Sequence, residues 1–297
     1  MSLALTACLD TVDSPVESTI DQDVQASNGT SLNGTSLNGT SLNGTTLNGT
    51  SLKSVGTANA KLTGVTLTNV ALTGSAISAK KGITNVSGTA LISAVFTGAA
   101  TNNAAVTLRI DGVHALAAPN ADVTAYVVSY QTSPTTWSPL CANTGNEAIP
   151  MTGTWNLTTG SHQLDANQFT FACRDATFAK CVELGYKPWN TVAGVNLANH
   201  HEACTRALRA DYCGDGTSNT VNGTLINIYD SLNIQSDSLG WKIESNWNAS
   251  GAVCIGTPRV LTITQATVPA CVWSRSQTPC ATTSWAGGIL LRTEVNK

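Results

Sequence analysis

Leucine returns every fifth residue through the first part of this chain, at Leu32, Leu37, Leu42, Leu47 and Leu52, within repeats of Thr-Ser-Leu-Asn-Gly. Thr57 breaks the series, and Leu62, Leu67, Leu72 and Ile77 resume it in phase. Two residues before each stands a small or β-branched residue: Thr30, Thr35, Thr40, Thr45, Thr50, Val55, Ala60, Val65, Val70 and Ser75. From residue 83 the pattern changes to alternation. Ala105–Ile110 and Asp122–Tyr130 place apolar residues at every second position, as half-buried strands do. Turn residues at Asp111-Gly112, Ser133-Pro134, 143–146 and Thr159-Gly160 separate them. Thr224–Tyr229, Trp241–Trp247, Gly251–Cys254 and Val260–Thr264 predict further strands, and Ile289–Leu291 an apolar, hairpin-like end. The pattern predicts an antiparallel sheet or small sandwich.

Two helices interrupt the strands. The first runs roughly from Arg174 to Leu184: Phe178 and Cys181 share a face, Gly185 is placed for the left-handed C′ position, and Pro188 forbids continuation. In the second, Asn199 followed by Glu202 reads as a capping box, and Gly214 stands past the far end. Its apolar stripe carries Cys204, Leu208 and Tyr212, with His201 on the same side.

The five-residue units resemble the pentapeptide-repeat family. That resemblance implies a right-handed, four-sided β-helix over residues 28–82, with each leucine on the axis and the residue two before it also inward. Ten units make only two and a half coils, so the stack needs a cap, and the β-domain that follows is placed to supply it. The alternative for Thr30–Ser51 is a flexible low-complexity stalk. Mimicry of a DNA duplex is excluded, because Asn28–Ile77 contains no Asp or Glu. The acceptor-like triplets at Asn28, Asn33, Asn38, Asn43 and Asn48 follow from the repeat unit itself.

Composition narrows the setting. The 297 residues carry a net charge of −3, and only 11% are charged, while Thr, Ser, Asn, Gly and Ala abound. Lys80-Lys81 is the only basic pair, so nothing here neutralises a row of phosphates, and no nucleic-acid partner is expected. No run of about 18 apolar residues is present. Leu5-Thr-Ala-Cys8 resembles a bacterial lipobox, which implies lipidation of Cys8 and a membrane partner through that anchor. Seven residues precede Cys8, too few for a signal sequence, so the true start is expected upstream of Met1 or the sequence is truncated. Residues 10–27 read as a tether. With Cys8 removed, the nine cysteines leave eight for pairing.

The stretch from Phe169 to Gly216 holds the densest chemistry. Phe169–Cys173 (FTFAC), Ala179–Trp189, His201-Glu-Ala-Cys204-Thr-Arg206 and Arg209-Ala-Asp211-Tyr-Cys213-Gly-Asp215-Gly216 resemble the ADYC-domain family of bacterial, largely myxobacterial, secreted proteins. Gly251–Cys254 with Arg259 behind it resembles that family too. The resemblance implies an exported, cysteine-rich domain and carries over no catalytic residue.

Each candidate chemistry has a competing structural reading. His200, His201, Cys181 and Cys204 lack the paired-thiolate spacing of a zinc site. Cys213 with His201 and Asp211 has the residue types of a nucleophile, base and orienter. Twelve residues of helix separate the first two by about 18 Å, however. Asp211, Asp215 and Asn219 carry oxygens for calcium, but Cys213 stands where an EF-hand needs a ligand. No cofactor is expected, with calcium at this loop as the alternative. Trp137, Trp155, Trp241 and Trp247 lie in or beside strands, where aromatics are core more often than sugar platform.

The cysteines are expected to staple the domain. Cys173–Cys181 and Cys204–Cys213 would cross a helix lengthwise, about 12 Å against a limit near 7 Å, so neither pair can close. Cys181 pairs with Cys204 across the helices, and Cys271–Cys280 closes locally. Cys141–Cys173 and Cys213–Cys254 take the rest. The expected architecture is α+β: tether (1–27), short β-helix (28–82), then a disulfide-rich, mostly antiparallel β domain with two short helices (83–297). The expected role is an exported, lipid-anchored surface module that binds a carbohydrate or protein, or is structural. The alternative is an extracellular hydrolase with a polar site at His201, Arg206, Arg209, Asp211 and Asp215.

Overall fold

The computed structural model describes residues 44, 45, 47, 50–142, 145–174, 176–221, 224–236 and 240–297. Strand β1 (Leu52–Gly56) is followed by a meander of β2 (Lys61–Leu62), β3 (Val65–Thr73), β4 (Ala76–Lys81) and β5 (Thr84–Ser87). Next come β6 (Ala94–Ala100), β7 (Ala105–Ala115), β8 (Thr124–Ser133), β9 (Thr136–Pro139) and β10 (Glu147–Thr152). The two-residue pair β11 (Thr154–Trp155) and β12 (His162–Gln163) precedes β13 (Gln168–Cys173). Helix α1 (Thr177–Glu183), the small pair β14 (Thr191–Val192) and β15 (Val195–Asn196), and helix α2 (Ala198–Arg209) lead to the second sheet. That sheet contains β16 (Ile226–Asp230), β17 (Lys242–Asn248), β18 (Gly251–Ile255) and β19 (Leu291–Val295), with helix α3 (Ala270–Ser276) before its last strand.

Six strands close into a barrel in the order β1-β13-β10-β8-β7-β6, with β6 returning to β1 and every pair antiparallel. Closure leaves no edge between them and fills the interior with side chains. Phe96, Leu108, Ile110, Tyr126, Val128, Phe169 and Phe171 form that interior. Alternation along β13 explains its sequence. Phe169, Phe171 and Cys173 enter the barrel, while Ala172 packs outward with Ile149, Met151, Phe178 and Val182 under α1.

The α+β class and the β-helix are both corrected. The described chain is mostly β, with three short helices, and residues 28–43 lie outside it. From Lys61 onward the repeats run as antiparallel hairpins, whereas a β-helix stacks its turns in parallel. Leu72 faces Ile77 across one ladder, and Val65, which a coil would bury, is 43% exposed. The reason lies in the turns. Gly64, Gly74 and Gly82 take φ of +80°, +62° and +62°, which reverses the chain into hairpins. The leucines themselves are inward: Leu47, Leu52, Leu62, Leu67 and Ile77 are buried, and most of this meander lines one core with the barrel. The expected boundary at residues 82 and 83 falls in the β4–β5 turn of that same sheet.

The second sheet runs β16-β19-β17-β18. Its core joins Tyr212, Ile226, Ile228, Trp247 and Leu291 to Ala203, Ala207 and Leu208 of α2. Helix α2 is therefore enclosed, with α1 on one side and the sheet on the other. Its capping box is absent: Asn199 lies inside the helix, Asn196 Oδ1 accepts the Ala198 N–H at 2.9 Å, and Glu202 accepts from His162 N at 2.7 Å. Helix α1 starts three residues late because Arg174 clamps Glu183 (2.9 and 3.0 Å) and Glu147 (2.5 Å). Gly185 stands past its end at φ +94°, as expected. Val260–Thr264 forms no strand.

Four disulfides staple these layers. Cys141–Cys173 and Cys181–Cys204 pair as the sequence predicts. Cys213 bonds Cys271, and Cys254 bonds Cys280, in place of Cys213–Cys254 and Cys271–Cys280. The stretch between Cys271 and Cys280 begins as α3, which lies on β18; Cys271 within the helix bonds Cys213, and Cys280 past its end bonds Cys254. Cys8 lies outside the described residues.

Candidate functional site

Helix α2 ends at Arg209, and Ala210 takes the left-handed conformation (φ +49°, ψ +41°) that turns the chain into Asp211-Tyr212-Cys213-Gly214-Asp215-Gly216. Asp211 organises that turn. It is fully buried, its Oδ1 accepts the Asp215 N–H at 3.1 Å, and its Oδ2 accepts the Gly216 N–H at 2.9 Å. Arg206 Nη1, one helical turn back, donates to the same Oδ2 at 2.7 Å. The Arg206 guanidinium also donates to Thr159 O, to Ser161 Oγ at 3.3 Å and to Ala249 O at 3.3 Å. One buried cation thus ties three loops to α2. Such pairs cost desolvation, and removing one partner leaves the other charged in the interior.

The two glycines of the turn are explained by contact. A Cβ at Gly214 would strike the Ser250 backbone, and one at Gly216 the Thr158 carbonyl; both residues have positive φ. Arg209 Nη2 donates to Gly216 O, while its Nε has no partner among the described residues. Burial lowers the Arg209 pKa from its ordinary value, against the pull of Asp211. Asp215 is exposed, and its Oδ1 accepts the Thr217 N–H at 2.9 Å. Partial burial pulls its carboxyl upward but is outweighed by hydrogen bonds from Thr217 and by Arg206, so the pKa lies below its ordinary value.

A second buried network continues from Tyr212. Its hydroxyl donates to Glu244 Oε1 at 2.8 Å, and its ring stacks on Trp247 at 5.5 Å. Glu244 is fully buried, faces Arg259 Nε at 2.7 Å and Nη2 at 2.9 Å, and accepts from Thr293 Oγ1 at 2.7 Å. Arg259 also donates to the carbonyls of Ala207 and Leu208, capping the end of α2. Burial, and then Glu244, push the Tyr212 hydroxyl well above its ordinary pKa. From α3, Arg275 donates to the Tyr212 carbonyl. Glu244 and Arg275 escaped sequence reasoning: their partners lie far along the chain, and no local pattern marks them.

His201 stands apart from the turn. It is buried beside Phe178 and Trp155, and Nε2 donates to Phe178 O at 3.1 Å. Burial lowers its pKa to about 4, so the ring is neutral at pH 7. His200, equally buried, stacks on Tyr186 at 6.4 Å, and neither of its ring nitrogens has a partner among the described residues. The five predicted site residues therefore split. Arg206 and Asp211 pair directly, Arg209 and Asp215 join through the turn backbone, and His201 belongs to another layer.

The turn and its networks, apart from Arg275 and Thr293, lie within one recognised unit. Comparison with protein families matches residues 88–261 to the ADYC domain and residues 28–55 to pentapeptide repeats, in eight copies. The chain belongs to the ADYC domain family. Neither curated proteins nor solved structures yield a match. The ADYC letters, Ala210 to Cys213, are those of the turn: a left-handed residue, an organising carboxylate, a buried ring and a staple.

The remaining candidate chemistries can be placed. Cys213 is bonded to Cys271, and Cys181 to Cys204, so these sulfurs are neither nucleophile nor metal ligand. Asn219 donates through Nδ2 to Ala210 O at 2.9 Å, and both Asp211 oxygens already accept protein donors. Trp155 and Trp247 are core residues, and Trp137 lies under the Arg109 guanidinium at 4.3 Å. Two open hollows lie elsewhere. One, of about 690 Å³, is lined by Lys53, Thr154, Gln163, Asp165 and Gln168; the other, of about 350 Å³, lies at β4 and β5.

Proposed function

We propose that this ADYC protein is an exported bacterial surface module that binds or displays and carries out no chemistry at its ADYC turn. The supporting observation is the fate of Arg206 and Asp211. Both are buried, they pair with each other, and their remaining polar atoms meet backbone groups and the Ser161 hydroxyl of the surrounding loops. A hydrolase at this place would need those groups to converge on a pocket. The four disulfides accord with an extracytoplasmic location. Lipidation at Cys8, with a membrane partner through that anchor, completes the proposal.

Mass spectrometry of the chain isolated from the cells that make it tests the reading. The expected N-terminal peptide begins at Cys8 with acyl groups attached, and the eight other cysteines are oxidised. A chain with free thiols and an unmodified Cys8 overturns export and anchoring. For the binding role, wild type and Arg206→Lys are compared on ester, peptide and glycoside substrates. Turnover that Arg206→Lys abolishes without loss of thermal stability returns the turn to enzymes.

A further inference from the structure

The meander β2–β5 ends in a tip whose chemistry differs from the rest of the surface. The β4–β5 turn presents Ile83, which is 98% exposed. The β2–β3 turn lies beside it, since Lys81 Nζ donates to Thr63 Oγ1 at 2.5 Å, and it presents Val65. Leu62 pairs with Ala94, which brings the exposed Ile92 to the same end. Around these apolar points stand Lys61, Lys80 and Lys81, none paired with a carboxylate among the described residues. The absence of acid is a property of the sequence: no Asp or Glu occurs between Asp23 and Asp111. Asp111, which reaches this end through the Ser93–Ile110 hydrogen bond, is paired with Arg109 at 2.5 Å. A chain of net charge −3 thus holds one cationic end with isoleucine at its point.

We propose that this tip docks on an anionic lipid surface, with Ile83 entering the interface and Lys61, Lys80 and Lys81 meeting the headgroup phosphates. Depth supports a bilayer over an acidic protein. Lys81 lies opposite Thr84 and Lys80 opposite Asn85 in the β4–β5 hairpin, so their backbones stand about one and two residues below Ile83, roughly 3–7 Å at strand spacing. Lysine stems reaching back from the tip extend that offset into the about 5–10 Å between the headgroups and the depth that interfacial apolar groups reach. An acidic protein would engage the lysines and leave the foremost isoleucine in water. The inference concerns a second contact, separate from any acyl group at Cys8, and does not rest on the proposed role of the ADYC turn.

The test is vesicle flotation of the full chain carrying Cys8→Ser, so that no acyl group contributes. Vesicles of equimolar phosphatidylglycerol and phosphatidylcholine are compared with phosphatidylcholine alone. Binding is expected to the anionic vesicles only and to weaken with salt. Lys80→Gln and Lys81→Gln should each weaken it about fivefold. Ile83→Ser should weaken it about tenfold; its exposure means the fold, checked by circular dichroism, stays unchanged. Binding to neither vesicle, or equal binding to both, overturns the proposal. So does undiminished binding by Ile83→Ser, and displacement by polyglutamate with Ile83→Ser as competent as wild type marks an acidic partner instead.

Discussion

The two halves of this molecule bury their interiors by opposite means. The barrel core is aromatic and aliphatic, and the polar contact within it is modest: the Tyr126 hydroxyl accepts the Ile77 N–H at 2.8 Å. The core around α2 carries ion pairs, Arg206 with Asp211 and Arg259 with Glu244, and three of the four disulfides. A closed barrel satisfies its backbone by pairing every strand, so its interior needs only apolar volume. The second half joins a helix end, a tight turn, a loop-rich segment and a small sheet, and each leaves carbonyls and N–H groups that side chains must satisfy. Arginine, with several donors in one fork, is suited to that task.

The sharpest way to break the comparison is at Arg259. Arg259→Ala leaves Glu244 buried without its cation and uncaps α2, and urea unfolding should show a loss of roughly 4–5 kcal/mol. Adding Glu244→Met should recover a large part of that loss, because the pair is worth less than the cost of halving it. The barrel counterpart is Phe171→Ala, with an expected loss of roughly 4 kcal/mol from lost burial and cavity. No second polar deletion should rescue it, and its cost should be the same in high salt. If Phe171→Ala were salt-sensitive, or the Glu244 substitution gave no recovery, the contrast between the halves would fail.

Acid sharpens the same contrast at smaller cost. The His201 pKa falls from 6.5 to about 4 on folding, and that of His200 is also lowered, both by burial. A histidine held neutral contributes stability that is complete above its unfolded pKa and is lost as pH falls towards the folded value. Stability should therefore decline between pH 6.5 and about 4, by roughly 3 kcal/mol for His201. Urea midpoints across that range should fall for the wild type and flatten for His201→Gln. The loss should map to α1 and α2, with β6–β8 amides keeping their protection.

What could be read in advance follows the same division. Alternation marks β7 and β8, and the facing apolar stripes of the helices imply Cys181–Cys204. The five-residue period marked Leu47, Leu52, Leu62 and Leu67 as buried, with Leu72 half-buried and Leu32, Leu37 and Leu42 outside the described residues, but not their topology. An antiparallel hairpin can hold the same spacing when a glycine turn sets Leu72 opposite Ile77. Helix α3 gave little signal, being seven residues long, and the pairing of Cys271 and Cys280 failed with it. At the ADYC turn, Arg206, Asp211 and Asp215 were legible as a polar cluster. The inward direction of Arg206 and Asp211 was not, because it is set by Thr159 and Ala249, brought in from other elements.

Asp211 holds the turn together through the Asp215 and Gly216 amides and Arg206, and the isosteric Asp211→Asn tests this most directly. Urea unfolding of this variant is compared with that of Asp215→Asn, four residues on at the surface. Asp211→Asn leaves Arg206 buried without its counter-charge and should lose about 3 kcal/mol. Asp215→Asn should stay within about 0.5 kcal/mol of wild type. Equal stability of Asp211→Asn and wild type would contradict the account.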